Sequence, residues 1–453
     1  GSEMCIRDSN ISSNLWRETW SSLGSGSNHT PINGELGSFY RPDGLLANSK
    51  LKWETTISRN FGIDFGFLNN RVNGSLEVYW NTTKDLLMAV PVDNTTGYSY
   101  QFQNFGKTSN RGIELSVNVD VINKGDFRFN VGAIYNYNRN KLDELPNADQ
   151  YLYSSYWGSS SLVPTNDYMF VEGKAIGLVR GFISEGYYTV DDFNYTNGQY
   201  VLKEGVPDIT KALTATYMHP YDLPAGQTAF PGAAKFRDVD ESGTVDLDDA
   251  TCLGEVMPRH TGSFQLNFNY KNFDLSTNFN WTAGGKVYNV AAMINASGQE
   301  FDGIGAQRAS WVADAFKVYN VNAAGDLYAV TNPDELRTLN ANAKYHLPYH
   351  QSGITSSEWL ENGSYLRLQT LTLGYTLPKN WLTKVHVDKI RLYLTATNLF
   401  TITGYSGIDP EVNANPTGQS GFYSDLRIFP TLNMDFGTYP RARTFTFGAN
   451  ITF

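Results

Sequence analysis

The chain has 453 residues, 18% of them charged and 14% aromatic, with 41 Gly and a formal net charge of −10. That acidic balance disfavours nucleic acid as a partner, two cysteines, Cys5 and Cys252, are too few for a disulfide framework, and no run approaches the ~20 apolar residues of a membrane-spanning helix. Charge lies below the roughly 25% of ordinary soluble domains, and the class that tolerates this is a membrane β-barrel, because every second residue of each strand is polar but need not be charged.

Gly1 to Ser9 has neither strand nor helix period, and no charged stretch followed by an apolar one, so it is not a signal peptide. Residues 1–14 are expected to be an assembly remnant or disordered, and residues 15–453 to carry the fold. The first clear strand spans residues 57–67, with Ile57, Phe61, Ile63, Phe65 and Phe67 on one face. Asn69-Asn70 marks a tight turn, and the return strand sets Val72, Leu76, Val78 and Trp80 on its apolar face. A long polar segment (about 84–106) follows. Ile113, Leu115, Val117, Val119 and Val121 then alternate with Gly112, Glu114, Ser116, Asn118 and Asp120. After a turn at Asn123-Lys124-Gly125, Phe127, Phe129, Val131, Ala133, Tyr135 and Tyr137 run back.

A second long segment, about 140–174, holds the aromatic cluster Tyr151, Tyr153, Tyr156 and Trp157. A strand-like stretch near 176–189 leads into an excursion reaching about 260. Phe264, Leu266, Phe268 and Tyr270 form the next strand, Lys271-Asn272 turns, and Phe273, Leu275, Phe279 and Trp281 return. A fourth excursion extends to about 363, with Gln307 to Phe316 as its best helical segment. Residues 365–376 read as a strand of mixed alternation. Ile390, Leu392, Leu394 and Ala396 follow after Pro378. Beyond a last excursion (about 400–440), Phe445, Phe447, Ala449, Ile451 and Phe453 alternate with Thr444, Thr446, Gly448, Asn450 and Thr452. The polar face of that strand carries no charge, as where a strand lines a barrel lumen.

Connections therefore alternate short and long, the asymmetry of outer-membrane barrels, and Trp80, Tyr137 and Trp281 near strand ends suit interfacial girdles. A soluble β-sandwich also alternates, but its strands run ~5–6 residues, and several here are twice that.

Several blocks now acquire a family. Asn104 to Glu114 resembles the NxGKxxNRGxE segment of SusC/RagA-like TonB-dependent outer-membrane transporters. Tyr365-Leu366-Arg367-Leu368 and Leu373-Gly374-Tyr375-Thr376-Leu377-Pro378 are similar to that family's YLRLxxxxLGYxLP block. Asn398-Leu399-Phe400-Thr401 and Tyr405-Ser406-Gly407-Ile408-Asp409-Pro410-Glu411 resemble its NLFTxTxYxGxDPE segment, and Tyr439-Pro440, Arg443-Thr444-Phe445 and Phe453 its closing strand. The resemblance covers nearly everything after residue 50. It implies an all-β antiparallel transmembrane barrel of about 22 strands around an N-terminal plug, located in a Gram-negative, Bacteroidota-like outer membrane. This chain offers roughly half those strands and no recognisable plug or TonB box, and so reads as the C-terminal half, open at two edges. The implied activity is import of oligosaccharides, or of peptides. The implied partners are a SusD-like surface lipoprotein as a lid, TonB acting through the missing N-terminal part, and outer-membrane lipid. It is not expected to be an enzyme. The rivals are a siderophore or vitamin receptor without a lid and a secreted glycan-binding β-sandwich or glycoside hydrolase.

The sharpest local motif is Asp238 to Asp249. Asp238, Asp240, Ser242, Thr244, Asp246 and Asp249 fall on positions 1, 3, 5, 7, 9 and 12 of a Ca²⁺ loop, with Gly243 at position 6. Carboxylate, hydroxyl and carbonyl oxygens at that spacing can wrap one hard cation, and Asp rather than Glu at the twelfth position shortens the closure. The same residues also suit a solvated Asx-rich turn. Tyr151, Tyr153, Tyr156 and Trp157 could stack on sugar rings, or simply pack a loop. His346 and His350 have a zinc-like spacing, but Pro348 between them argues against a helix presenting both. Glu185 and Asp191 could be posed as a glycosidase pair only if their separation allowed it.

Overall fold

Extended backbone with one apolar face dictates the main element. The computed structural model describes residues 20–22, 31–32, 35–36, 40–42, 45–98, 100–104, 106–145, 150–154, 162–214, 219–297, 309–347, 353–382, 387–412 and 432–453. Residues 1–14 lie outside these.

Ten strands form one antiparallel sheet: β1 (Thr55–Ile57), β2 (Asn60–Phe67), β3 (Val72–Lys84), β4 (Lys107–Lys124), β5 (Phe127–Glu144), β6 (His260–Tyr270), β7 (Phe273–Ala283), β8 (Tyr365–Thr376), β9 (Lys389–Thr403) and β10 (Thr444–Thr452). Their order follows the chain, from β1 and β2, both on β3, to β10 at the far edge. The expected strand 57–67 is thus two pieces, each paired with β3. Leu68, Asn69 and Asn70 all adopt positive φ in the β2–β3 turn, and Gly125 and Lys271 do so in the other tight turns. Each tight turn lies at one end of the sheet. At the other end leave the long excursions after β3, β5, β7 and β9.

Register places the alternating apolar residues of neighbouring strands on one face. Ile63 pairs with Leu76, Leu76 with Leu115, Leu115 with Tyr135, and Val131 with Leu266. On the far side Leu275 pairs with Leu373, Leu373 with Leu394, and Leu394 with Phe447. Aromatic pairs reinforce the register: Phe129 stacks on Phe268 at 4.3 Å and Phe264 on Phe279 at 4.6 Å, each worth about 0.5–1.5 kcal/mol beyond the area it buries. The mixed alternation of β8 has a structural cause. A bulge near Gln369 shifts the register, so Leu366 and Leu368 share a face with Leu371, Leu373 and Tyr375.

Among the described residues, nothing covers the apolar face. Phe61 is 60% exposed, Ile402 62% and Phe447 73%. A soluble sandwich would bury this face against a second sheet, so the sandwich expectation is set aside. The opposite face is a polar lattice: Ser276 donates to Asn267 at 2.7 Å, Asn280 to Gln369 at 2.6 Å, and Arg391 pairs with Asp274. Gly448 lies beneath the Tyr393 ring, where a Cβ would come within 2.4 Å of the ring.

Among the described residues, the buried cores lie away from the sheet's apolar face. Strands β4 and β5, 18 residues each, reach ~60 Å at ~3.4 Å per residue, well beyond the ~25 Å apolar band of a barrel. The excursions are therefore not plain loops. Leu162–Val163 pairs with Gly353–Ile354, and Lys286–Asn289 with both Leu360–Asn362 and Met434–Asp435. Among the described residues two large buried clusters result, one around Tyr188, Phe230 and Leu336, the other around Tyr168, Tyr288 and Met293. Helices α1 (Val290–Ser297), α2 (Ala309–Asp314) and α3 (Pro333–Leu339) belong to this body. The helix expected over Gln307 to Phe316 appears as α2, and Gln307 lies outside the described residues.

Candidate functional site

Functional side chains gather in the excursion body rather than on the sheet. The acidic loop leaves the strand Ala234–Phe236 and ends in a single 3₁₀ turn, Leu247–Asp249. Glu241 and Gly243 take positive φ, 60° and 87°, which folds the loop back on itself. Three of the six expected ligands converge: carboxylate oxygens of Asp238, Asp240 and Asp249 lie within 4.8 Å of one another. Asp249, fully buried, accepts from the backbone N–H groups of Val239, Asp240 and Asp246. Asp238 accepts from Ser242 and Gly243, and Asp240 from Ser242. The bonds from Ser242 hold the Asp240 carboxyl below its ordinary pKa.

The other three positions have local work. The Asp246 side chain caps the 3₁₀ turn by accepting from Asp248 N–H, and the Ser242 hydroxyl donates to the Thr244 carbonyl at 3.0 Å. Oxygen donors, three of them carboxylates, suit a hard cation. The same backbone N–H groups equally describe an Asx-rich turn.

Of the four expected aromatics, Tyr153 is given to the core: it is 4% exposed and stacks on Tyr168 at 5.5 Å and Phe170 at 4.8 Å. Tyr151 is half-buried against the same cluster. Tyr156 and Trp157 lie outside the described residues, as does His350. His346 is buried, edge-on to Trp311 at 5.0 Å. Glu185 and Asp191 are held in separate ion pairs, with Arg237 at 3.0 Å and Arg337 at 2.9 Å.

Sequence reasoning missed a cavity. It occupies about 230 Å³ and is lined by Trp311, Tyr345 and Trp359, by Glu358 and Glu361, and by Ser406. Ala292 and Ala296, four apart on α1, leave the space that larger side chains would fill. Glu361 is fixed: it accepts from Asn289 Nδ2 and Ser406 Oγ through one oxygen and from Ser406 N–H through the other, each at 2.7 Å. Glu358 is different. Among the described residues it faces His346 Nε2 at 3.9 Å, beyond hydrogen-bond range. Burial pushes that histidine down to about 4 and the Glu358 carboxyl up to about 7. The Trp311 indole N–H is also buried and finds no hydrogen-bond partner among the described residues. Only proximity in the fold assembles these residues, since they come from five separate segments.

Beside the cavity, the segment after β9 is clamped onto β8. Arg367, with its side chain 3% exposed, donates to Asp409 at 2.5 Å, to Glu411 at 2.8 Å and to Thr401 Oγ1 at 2.9 Å. Arg441 reaches the second Glu411 oxygen at 2.6 Å. The Tyr405 hydroxyl donates to Asp435 at 2.6 Å.

Comparison with known proteins agrees with this architecture. Residues 18–399 match the family described as TonB dependent receptor-like, beta-barrel. TonB-dependent receptor P3 of Formosa agariphila is 30% identical over 90% of this chain and 35% of its own length. TonB-dependent receptor SusC of Bacteroides thetaiotaomicron is 26% identical over 90% of this chain and 32% of its own length. The structure of the RagAB peptide transporter superposes with a TM-score of 0.64 at 20% identity, covering 97% of this chain and 39% of that one. The chain thus spans about a third of the length of the curated relatives it matches.

Proposed function

The chain belongs to the TonB dependent receptor-like β-barrel family, and from that premise we propose that it forms part of the wall and outer body of a SusC/RagA-type importer in a Gram-negative, Bacteroidota-like outer membrane. The observation that carries this reading is the uncovered apolar face of the ten-stranded sheet together with the gathering of every long excursion at one end. Lipid covers such a face, whereas water would drive it into aggregation. In this reading the excursion body meets the substrate and a SusD-like surface lipoprotein closes over it. TonB supplies the energy, and no bond of the cargo is made or broken. The cargo is an oligosaccharide or a peptide. Tyr151 keeps the ring-stacking role expected of the aromatic cluster, with Tyr156 and Trp157 beside it in sequence.

The test is made in cells. Deleting the gene is expected to abolish uptake of the cargo, with the same loss when TonB is deleted, and a surface lipoprotein is expected to co-purify in detergent. Uptake that persists without TonB would refute the reading, and a receptor purified with no lipoprotein would favour a siderophore or vitamin receptor. We also propose that Ca²⁺ binds at Asp238, Asp240 and Asp249, with Ser242, Thr244 and Asp246 completing the loop. Calorimetric titration of chelator-treated protein is expected to show one Ca²⁺ site, weakened at least tenfold by Asp240→Asn. Absence of any heat of binding would leave the loop as an Asx-rich turn.

A further inference from the structure

The cavity between α1, α2 and the 3₁₀ turn Ser357–Trp359 has a chemistry that the barrel itself does not require. Its described walls carry two carboxyl groups and three aromatic rings, and no Lys or Arg. Aromatic faces attract cations through the ring quadrupole, and a carboxylate in a poorly solvated site needs a counter-charge. Among the described residues lining the cavity, no Lys or Arg supplies it. His346 Nδ1 donates to the Leu347 carbonyl at 2.8 Å, so the neutral ring turns an acceptor nitrogen, Nε2, toward Glu358. Glu361 already has its hydrogen bonds and stands as a fixed acceptor beside it. A metal ion fits poorly, because the described residues offer one cluster of three potential metal-ligating groups and it is the loop at Asp238, Asp240 and Asp249.

We propose that this cavity is a subsite for a primary ammonium group of the cargo, with Glu358 as its counter-ion and Trp311, Tyr345 and Trp359 as its walls. The ammonium belongs to a peptide amino terminus or to an amino sugar, two sources that share this chemistry. The inference rests on the importer reading above and narrows its cargo to amine-bearing molecules. Binding is pH-dependent with a definite sign. Among the described residues, the titratable groups around Glu358 are His346, Tyr345 and Glu361, and burial raises the Glu358 carboxyl to about 7. At pH 6 it is mostly protonated and a poor counter-ion; by pH 7.5 it is mostly ionised.

The test is calorimetry on the intact receptor in detergent at pH 7.5, with dialanine and glucosamine as probes and their N-acetylated forms as controls. At least one free amine is expected to bind. Acetylation should weaken it tenfold or more, and lowering the pH to 6 should weaken it by up to about eightfold, the fall in the ionised fraction of a carboxyl raised to about 7. Glu358→Gln should remove this preference for the free amine. Dialanine binding alone identifies a peptide terminus, and glucosamine binding alone an amino sugar. Ala292→Met, which fills the cavity without touching a carboxyl group, should abolish binding of either probe and serves if Glu358→Gln does not fold. Equal binding of amine and acetylated forms, or of neither amine, would overturn the proposal. So would unchanged amine affinity in Glu358→Gln. Energy-dependent uptake that survives these negative results would leave the importer reading standing. Selective amine binding without TonB-dependent uptake would instead overturn that reading alone.

Discussion

Arg367 explains why two distant stretches of sequence carry a joint signature. It lies on β8, and its guanidinium is buried between Asp409 and Glu411 on the segment that follows β9. A buried guanidinium is stable only with its carboxylates in place, and the buried Asp409 carboxylate only with the guanidinium. Removing one partner of a buried pair costs about 3–5 kcal/mol, because it strands the other. Arg441 contacts the same Glu411 from a 47% exposed position, where water already screens the pair, and exposed pairs contribute about 0–1 kcal/mol. Arg367→Met is therefore expected to lower the thermal unfolding midpoint in detergent substantially and to open the segment around Asp409 to protease. Arg441→Met should leave both nearly unchanged. Equal effects of the two substitutions would contradict the account of the clamp.

At the scale of elements, the long strands were legible because their periodicity survives every turn. The pattern at Phe127, Phe129, Val131, Ala133, Tyr135 and Tyr137 needs no tertiary knowledge, and the paired register reproduces it. β8 was read as mixed because a one-residue bulge reverses the parity of everything beyond it, and a bulge is visible only from the partner strand. The excursions were hardly legible. Their strands run two to five residues, too short to show a period, and their helices are short and bounded by other chain segments. The acidic loop announced itself because its ligand register is local. Even so, Asp246 is used as a helix cap, which spacing alone does not predict. The cavity left no local mark, since Trp311, Tyr345, Glu358 and Ser406 meet only after the excursions pack together.

For the molecule as a whole, the distribution of burial is inverted relative to a soluble protein. Large apolar side chains such as Phe61, Phe445 and Phe447 lie exposed on the sheet, while full burial is found in the body built from the excursions. One chain thus contains two solvent regimes, a wall solvated by lipid on one face and a water-facing body whose cores fold conventionally. The polar face of the wall, with its Asn, Ser, Thr and Gln lattice, is the surface that a hydrated lumen would wet. The strand edges at β1, β2 and β10 carry backbone groups that lipid cannot satisfy, so further strands must meet them in the membrane. The most direct test uses single nitroxide labels along β6 in the receptor reconstituted in lipid, after Cys5 and Cys252 are replaced by Ser. Labels at 264, 266 and 268 should be accessible to oxygen dissolved in the bilayer, and labels at 263, 265 and 267 to a water-soluble nickel complex. Across the β8 bulge, labels at 366 and 371 should both report lipid. A water-accessible label at every position, or an alternation of the opposite phase, would contradict the assignment of this face to the membrane.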